Sequence, residues 1–193
     1  MLLPSTFIIF TFAERRHVAH RLLDDTLAQD ALMHTFSPAG RALREKFNGF
    51  IARRGEVFEE LSGWLSGLAV HYPQPEGSHP LVGTKAPDAV LGGEGLVRSL
   101  RPDRFMLLDF GDSSSDDSAS DGSALTELAG ARVEVRSARR HTGAWATVRA
   151  ALIRPDGHVA YAVDSAESMA ETLPDAVAAW TRPTASSERL VSV

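Results

Sequence analysis

Apolar residues recur at spacings of three and four over residues 13–33, with Val18 and Leu22 on one row and Ala19, Leu23 and Leu27 on the next. That period predicts an amphipathic helix with a single apolar stripe. Ser37-Pro38-Ala39-Gly40 interrupts it. Serine suits an N-cap and proline the first helical position. A second helix is therefore predicted from Ser37 or Pro38 to about Arg53, with Leu43, Phe47, Phe50 and Ile51 on its apolar side. Gly55 breaks the pattern. A third helix is predicted over 56–68, carrying Val57, Phe58, Leu61, Trp64, Leu65 and Leu68. The apolar stretch 1–12 reads as a first strand or a helix start. It is too short for a bilayer, which takes about 20 residues. It also lacks the basic n-region and small-residue cleavage site of a signal peptide.

The grammar changes after Tyr72-Pro73-Gln74-Pro75-Glu76-Gly77-Ser78-His79-Pro80, because no helix continues through three prolines and a glycine. The boundary is placed there: a helical segment over 1–72, a linker over 73–80, a domain over 81–183 and a flexible tail over 184–193. Phe105-Met106-Leu107-Leu108-Asp109-Phe110 is a short apolar run between turn residues and predicts a buried strand. Residues 111–123 are rich in Ser, Asp and Gly and predict a loop, and 125–129 a short helix. Arg132-Val133-Glu134-Val135-Arg136 alternates and predicts a half-buried strand. Two further strands, 150–154 and 158–163, flank Pro155-Asp156-Gly157. There proline presets φ and glycine supplies positive φ for a hairpin. Residues 165–180 close as a helix with Met169, Leu173, Val177 and Trp180 on one face. Pro174 is expected to break or restart it.

Strand, helix, strand, antiparallel hairpin and final helix is the order of a thioredoxin-like fold. The predicted class is α/β: an N-terminal helical segment followed by a thioredoxin-like domain. The chain has 193 residues and no cysteine. Disulfides, thiolate catalysis, cysteine metal sites and dithiol redox chemistry are therefore excluded. The place of a redox Cys-x-x-Cys is taken by Asp112-Ser113-Ser114-Ser115-Asp116-Asp117, where the carboxylates would in any case oppose a thiolate. A net charge of −5, without long basic runs, gives no reason to expect nucleic acid. A cytoplasmic protein without membrane attachment is expected.

Two strings carry a family resemblance. Glu14-Arg15-Arg16-His17-Val18-Ala19 stands near the start, and His79-Pro80-Leu81-Val82-Gly83-Thr84-Lys85-Ala86-Pro87-Asp88 follows sixty-odd residues later. In this order they resemble the end of the FAD-dependent aromatic hydroxylases that oxygenate polyketides and phenols. Thr26-Leu27-Ala28-Gln29 also looks familial, while His17 departs from the proline usual in the first string. Such enzymes carry a thioredoxin-like domain at their C-terminus with an Arg-Pro-Asp-Gly-like hairpin, which Arg154-Pro155-Asp156-Gly157 matches. The family's flavin-holding part lies before the Glu-Arg-Arg string. The expectation is thus the tail of a monooxygenase without its catalytic body.

Dinucleotide sites need a Gly-rich turn between a strand and a helix N-terminus. No G-x-G-x-x-G is present, and Gly92-Gly93-Glu94-Gly95 reads as a turn. Gly111-Asp112 follows the first strand of the sheet domain, the wrong context for a flavin signature. No cofactor is expected on this chain, with FAD only if a partner chain supplies it. His17, His20 and Asp24 have helical spacing for a weak metal site, and an exposed polar face is the plainer reading. Asp109 ends a buried strand and is expected to cap the next turn. Arg139-Arg140-His141 reads as a solvated loop. No catalytic residue is assigned. Leu22, Leu27, Phe47, Phe50 and Trp64 are the candidate interface, since their faces outnumber what three short helices bury. A homodimer or a flavoprotein partner is expected to cover them. Three functions remain open: a non-catalytic assembly or stabilising module, a subunit of a split flavin monooxygenase, and a free-standing small-molecule binding protein.

Overall fold

The computed structural model describes residues 5–111, 132–138 and 143–181. Most of the Ser/Asp-rich loop, the short helix expected over 125–129, Arg139-Arg140-His141 and the tail 184–193 lie outside these residues. The chain divides into two compact units, Phe12–Tyr72 and Pro73–Val193 together with Met1–Thr11.

Three helices come first, α1 (Ser5–His34), α2 (Pro38–Ala52) and α3 (Glu56–Ser66), and from Phe12 onward they make up the helical unit. α1 begins eight residues before the expected start, because nothing after Pro4 interrupts the helix. Ser37 caps α2, its hydroxyl accepting from the Gly40 amide at 3.1 Å, and Pro38 stands in the first turn. The α1–α2 corner requires Gly40, since a Cβ there would lie 2.1 Å from Thr35 Cγ2. The Arg44 guanidinium donates to the carbonyls of Leu32 (2.9 Å), Met33 (2.8 Å) and Thr35 (3.1 Å), which the end of α1 leaves without helical partners. The break between α2 and α3 lies at Arg54, whose φ of 51° is left-handed, while Gly55 is extended and caps α3. α3 ends on Gly67 at φ 74°.

The apolar rows of α1 are left largely uncovered. Leu22, Leu23 and Leu27 are 60–67% exposed. Among the residues of this unit whose burial is described, only Gly40 and Tyr72 are buried. Arginine contacts join the helices instead: the Arg21 guanidinium lies 3.8 Å from the centre of the Trp64 ring and 3.2 Å from Glu60.

The second unit is built on a mixed four-stranded sheet, β3 (Phe105–Asp109), β4 (Val133–Ser137), β5 (Ala150–Ile153) and β6 (Val159–Val163), ordered β4-β3-β5-β6. It is preceded by a two-residue ladder, β1 (Val90–Leu91) with β2 (Glu94–Gly95), and by α4 (Leu96–Ser99), which the sequence pattern did not predict. β3 pairs parallel with β4, placing Leu107 opposite Val135, and antiparallel with β5, placing Leu107 opposite Leu152. β3 is apolar from Phe105 to Leu108, as suits a strand with both faces of the sheet covered. Its residues still alternate. Met106 and Leu108 join Phe110, Trp145, Val148 and Ile153 on one side, and Phe105 and Leu107 join Leu152, Leu173 and Val177 on the other.

α5 (Ala166–Thr181) supplies Met169, Leu173 and Val177 to the second cluster. It runs through Pro174 without the expected break. A proline inside a helix costs about 3 kcal/mol. Burial of Leu173 and Val177 on either side offsets that, at roughly 1.5–3 kcal/mol for each fully buried side chain.

Candidate functional site

The two strings His79–Asp88 and Arg154–Gly157 are hydrogen-bond partners of each other or of immediate neighbours. The segment 79–87 has no regular structure of its own, so its amides and carbonyls need partners from elsewhere. Gly83 N donates to Val159 O (2.9 Å), Val159 N to Thr84 O (3.0 Å) and Ala86 N to Gly157 O (2.9 Å). Lys85 and His158 form an antiparallel bridge, and Lys85 Nζ donates to Asp156 O at 2.7 Å. Trp145 Nε1 donates to Pro87 O at 3.1 Å. His79 Nδ1 accepts from the Leu81 amide at 3.2 Å, which puts its proton on Nε2, 3.3 Å from Asp164 Oδ1. The segment is thus a strap lying along the β5–β6 hairpin.

The hairpin supplies the charged centre. Asp156 Oδ2 accepts from Arg154 Nη2 at 2.8 Å. Its Oδ1 accepts from the His158 amide at 3.2 Å and lies 3.3 Å from His158 Nδ1. Arg154 and His158 are 1% and 4% exposed. Burial pushes the Asp156 carboxyl up, but the His158 hydrogen bond and the Arg154 charge outweigh it and hold the group well below the usual carboxylate range. Gly157 has a φ of 82°, and a Cβ there would meet Leu100 Cδ1 at 3.4 Å and Lys85 Nζ at 3.6 Å.

A second ionic pair stands at the carboxyl end of β3. Asp109 pairs with Arg149, and its Oδ1 accepts from the Gly111 amide at 2.9 Å. The expected turn-capping role of Asp109 is what the geometry gives, with an arginine added. Burial lowers the pKa of Arg149.

The sequence pointed to the hairpin as a turn and missed its charged centre. Arg154 and Asp156 two residues apart across a turn were the available signal. Lys85 and Arg149 reach their partners only through tertiary structure. Of the candidate interface residues, Leu22, Leu27 and Phe50 are exposed, and Phe47 and Trp64 are half-buried. His17, His20 and Asp24 are exposed on α1. Among the described residues no cluster of three His, Cys, Asp or Glu is placed to hold a metal ion. Among them no helix is long and apolar enough to cross a membrane.

Gly92 and Gly93, at φ 58° and 94°, form the two-residue turn between β1 and β2. The helix that follows has four residues, and its first amide donates to Ala89 O at 2.7 Å. A dinucleotide pyrophosphate needs open amides at the start of a substantial helix. This glycine cluster does not fit one.

Comparison with known proteins follows the same strings. Residues 79–184 match the model of the aromatic-ring hydroxylase C-terminal domain. An uncharacterised aromatic compound monooxygenase of Bacillus subtilis (strain 168), YhjG, is 31% identical over 92% of this chain and 35% of its own length. The 12-dehydrotetracycline 5-monooxygenase/anhydrotetracycline 6-monooxygenase of Streptomyces rimosus is 32% identical over 90% of this chain and 34% of its own. The solved structure of OxyS, an anhydrotetracycline hydroxylase from Streptomyces rimosus, is similar with a TM-score of 0.67 and 30% identity, over 89% of this chain and 35% of that one. The chain therefore spans about a third of the length of the relatives it matches. With more than half of its residues covered by the domain model, the chain belongs to the aromatic-ring hydroxylase C-terminal family.

Proposed function

We propose that this chain is a non-catalytic assembly and stabilising module of an FAD-dependent aromatic polyketide hydroxylase system, built on a thioredoxin-like sheet domain and working in the cytoplasm. The observation that carries the reading is the union of strap and hairpin. The strings that mark the family are joined by Gly83, Thr84, Lys85 and Ala86 on one side and Asp156, Gly157 and Val159 on the other. Their polar groups maintain the domain's own structure. The strand order β4-β3-β5-β6, with β5 antiparallel to its neighbours, supports the thioredoxin-like assignment. The tetracycline hydroxylases among its relatives support a polyketide setting.

A second reading, a subunit of a split monooxygenase whose FAD domain is another polypeptide, draws support from the exposed apolar residues of α1 and α2. FAD fluorescence titrated with the purified chain tests the first reading, and no saturable quenching is expected. A stoichiometric flavin that co-purifies with the chain and survives dialysis overturns it. Capture of a flavoprotein whose hydroxylation rate rises on adding the chain moves the conclusion to the split enzyme.

A further inference from the structure

The two edges of the four-stranded sheet differ. At the β6 edge the strap bonds to Val159 through Gly83 and Thr84. The other edge is β4 (Val133–Ser137). Arg132 O accepts from Phe105 N, and Ala138 N donates to Asp109 O, both at 2.9 Å. Backbone groups alternate in direction along a strand, so Arg132, Glu134, Arg136 and Ala138 turn theirs to β3. Val133, Val135 and Ser137 turn theirs outward, and among the described residues nothing pairs with them. The side chains alternate as well. Val133 and Val135 pack with the Leu107 cluster, while Glu134 and Arg136 lie on the opposite face, 2.6 Å apart.

We propose that β4 is a self-pairing edge: a second copy of this chain adds its own β4 antiparallel to it, about a two-fold axis at Val135, and the two sheets become one. With the axis there, Val135 pairs with its counterpart and Val133 with Ser137. All three are outward-facing, so every unused N–H and C=O of the strand meets a partner. Charge selects the same register. Glu134 of one copy falls opposite Arg136 of the other, and the reverse, which joins the two ion pairs into a group of alternating sign. Moving the axis to Glu134 or to Arg136 keeps the backbone bonds but sets Glu134 against Glu134 or Arg136 against Arg136, and like charges directly opposite are destabilising. Charges on an edge strand ordinarily guard it against pairing. Here they match the strand's own reverse, which is what a two-fold axis requires and what a foreign strand does not use. This inference stands on β4 alone and is independent of the hydroxylase reading.

Sedimentation velocity and residue-resolved hydrogen exchange of the full chain test it over a range of concentration. A dimer is expected. As it forms, exchange is expected to slow roughly tenfold or more at the Val133, Val135 and Ser137 amides, and to change little at Glu134 and Arg136, which are already bonded to β3. Glu134→Arg and Arg136→Glu each put like charges opposite one another, and each alone is expected to dimerise about tenfold more weakly. Mixed in equal amounts the two variants are expected to pair with each other. Ser137→Pro removes an outward N–H without removing a bond to β3, and is expected to weaken the dimer with unchanged circular dichroism. A wild-type chain that stays monomeric at every concentration overturns the proposal. So does a dimer that leaves the alternate amides unprotected, or a pair of folded charge variants that fail to combine. Protection of those amides that is equal at all concentrations also overturns it, since the chain itself would then cover the edge.

Discussion

The Arg154 guanidinium sits over the Trp180 ring, 5.0 Å from its centre. This contact ties the hairpin turn to the last turn of α5, and Trp180 also packs against Phe105 at 6.2 Å between ring centres. Trp180→Ala removes both contacts. Full truncation of a core aromatic costs about 3–5 kcal/mol, and the half-buried Trp180 is expected to cost about 2 kcal/mol or more. Urea unfolding followed by circular dichroism measures it.

Asp156→Asn removes the carboxylate charge that lies 2.8 Å from the buried Arg154. Breaking a buried pair from one side costs roughly 3 kcal/mol. The pH dependence has a definite sign. The unfolded carboxyl titrates near 3.8 and the folded one well below it. The stabilisation is therefore present above the unfolded value and disappears as pH falls through the folded one. The stability gap between wild type and variant is expected to hold from neutral pH to about pH 5 and to shrink in stronger acid. Denaturant melts at several pH values check this, and a gap that widens in acid contradicts it.

Gly157→Ala places a side chain at φ 82° and against Leu100. A left-handed alanine costs about 1–2 kcal/mol. The strap bonds to this turn through Ala86 and Lys85, so faster hydrogen exchange is expected at the Ala86 amide together with the loss of stability.

Arg44→Met removes the donors that satisfy the last carbonyls of α1. A loss of about 1–2 kcal/mol is expected, confined to the helical unit. Hydrogen exchange is expected to rise at the α1–α2 corner and remain unchanged in β3 and β5. An equal rise in the sheet would mean that the two units unfold as one.

Local signals in the sequence settled most of the elements. Ser37-Pro38 starts α2 because a hydroxyl and a proline suit the first helical turn, and Pro155-Asp156-Gly157 turns the hairpin because its φ angles are built into those residues. The apolar run 105–110 gave β3, and the absence of cysteine removed thiol chemistry before any fold was known. The two strings bearing the family resemblance were legible for the same reason, being contiguous.

What the tertiary structure decided was the partners. Lys85 and Asp156 lie 71 residues apart, and no periodicity links a strap without regular structure to a turn. Whether α5 continues through Pro174 depended on the packing of Leu173 and Val177, because burial acts on the assembled sheet and not on the isolated helix. The apolar rows of α1 read in sequence as a face in need of a cover, and Leu22, Leu23 and Leu27 are exposed in this chain. Hydrophobic spacing specifies that a face needs covering. Only the placement of neighbouring elements determines whether the same chain covers it.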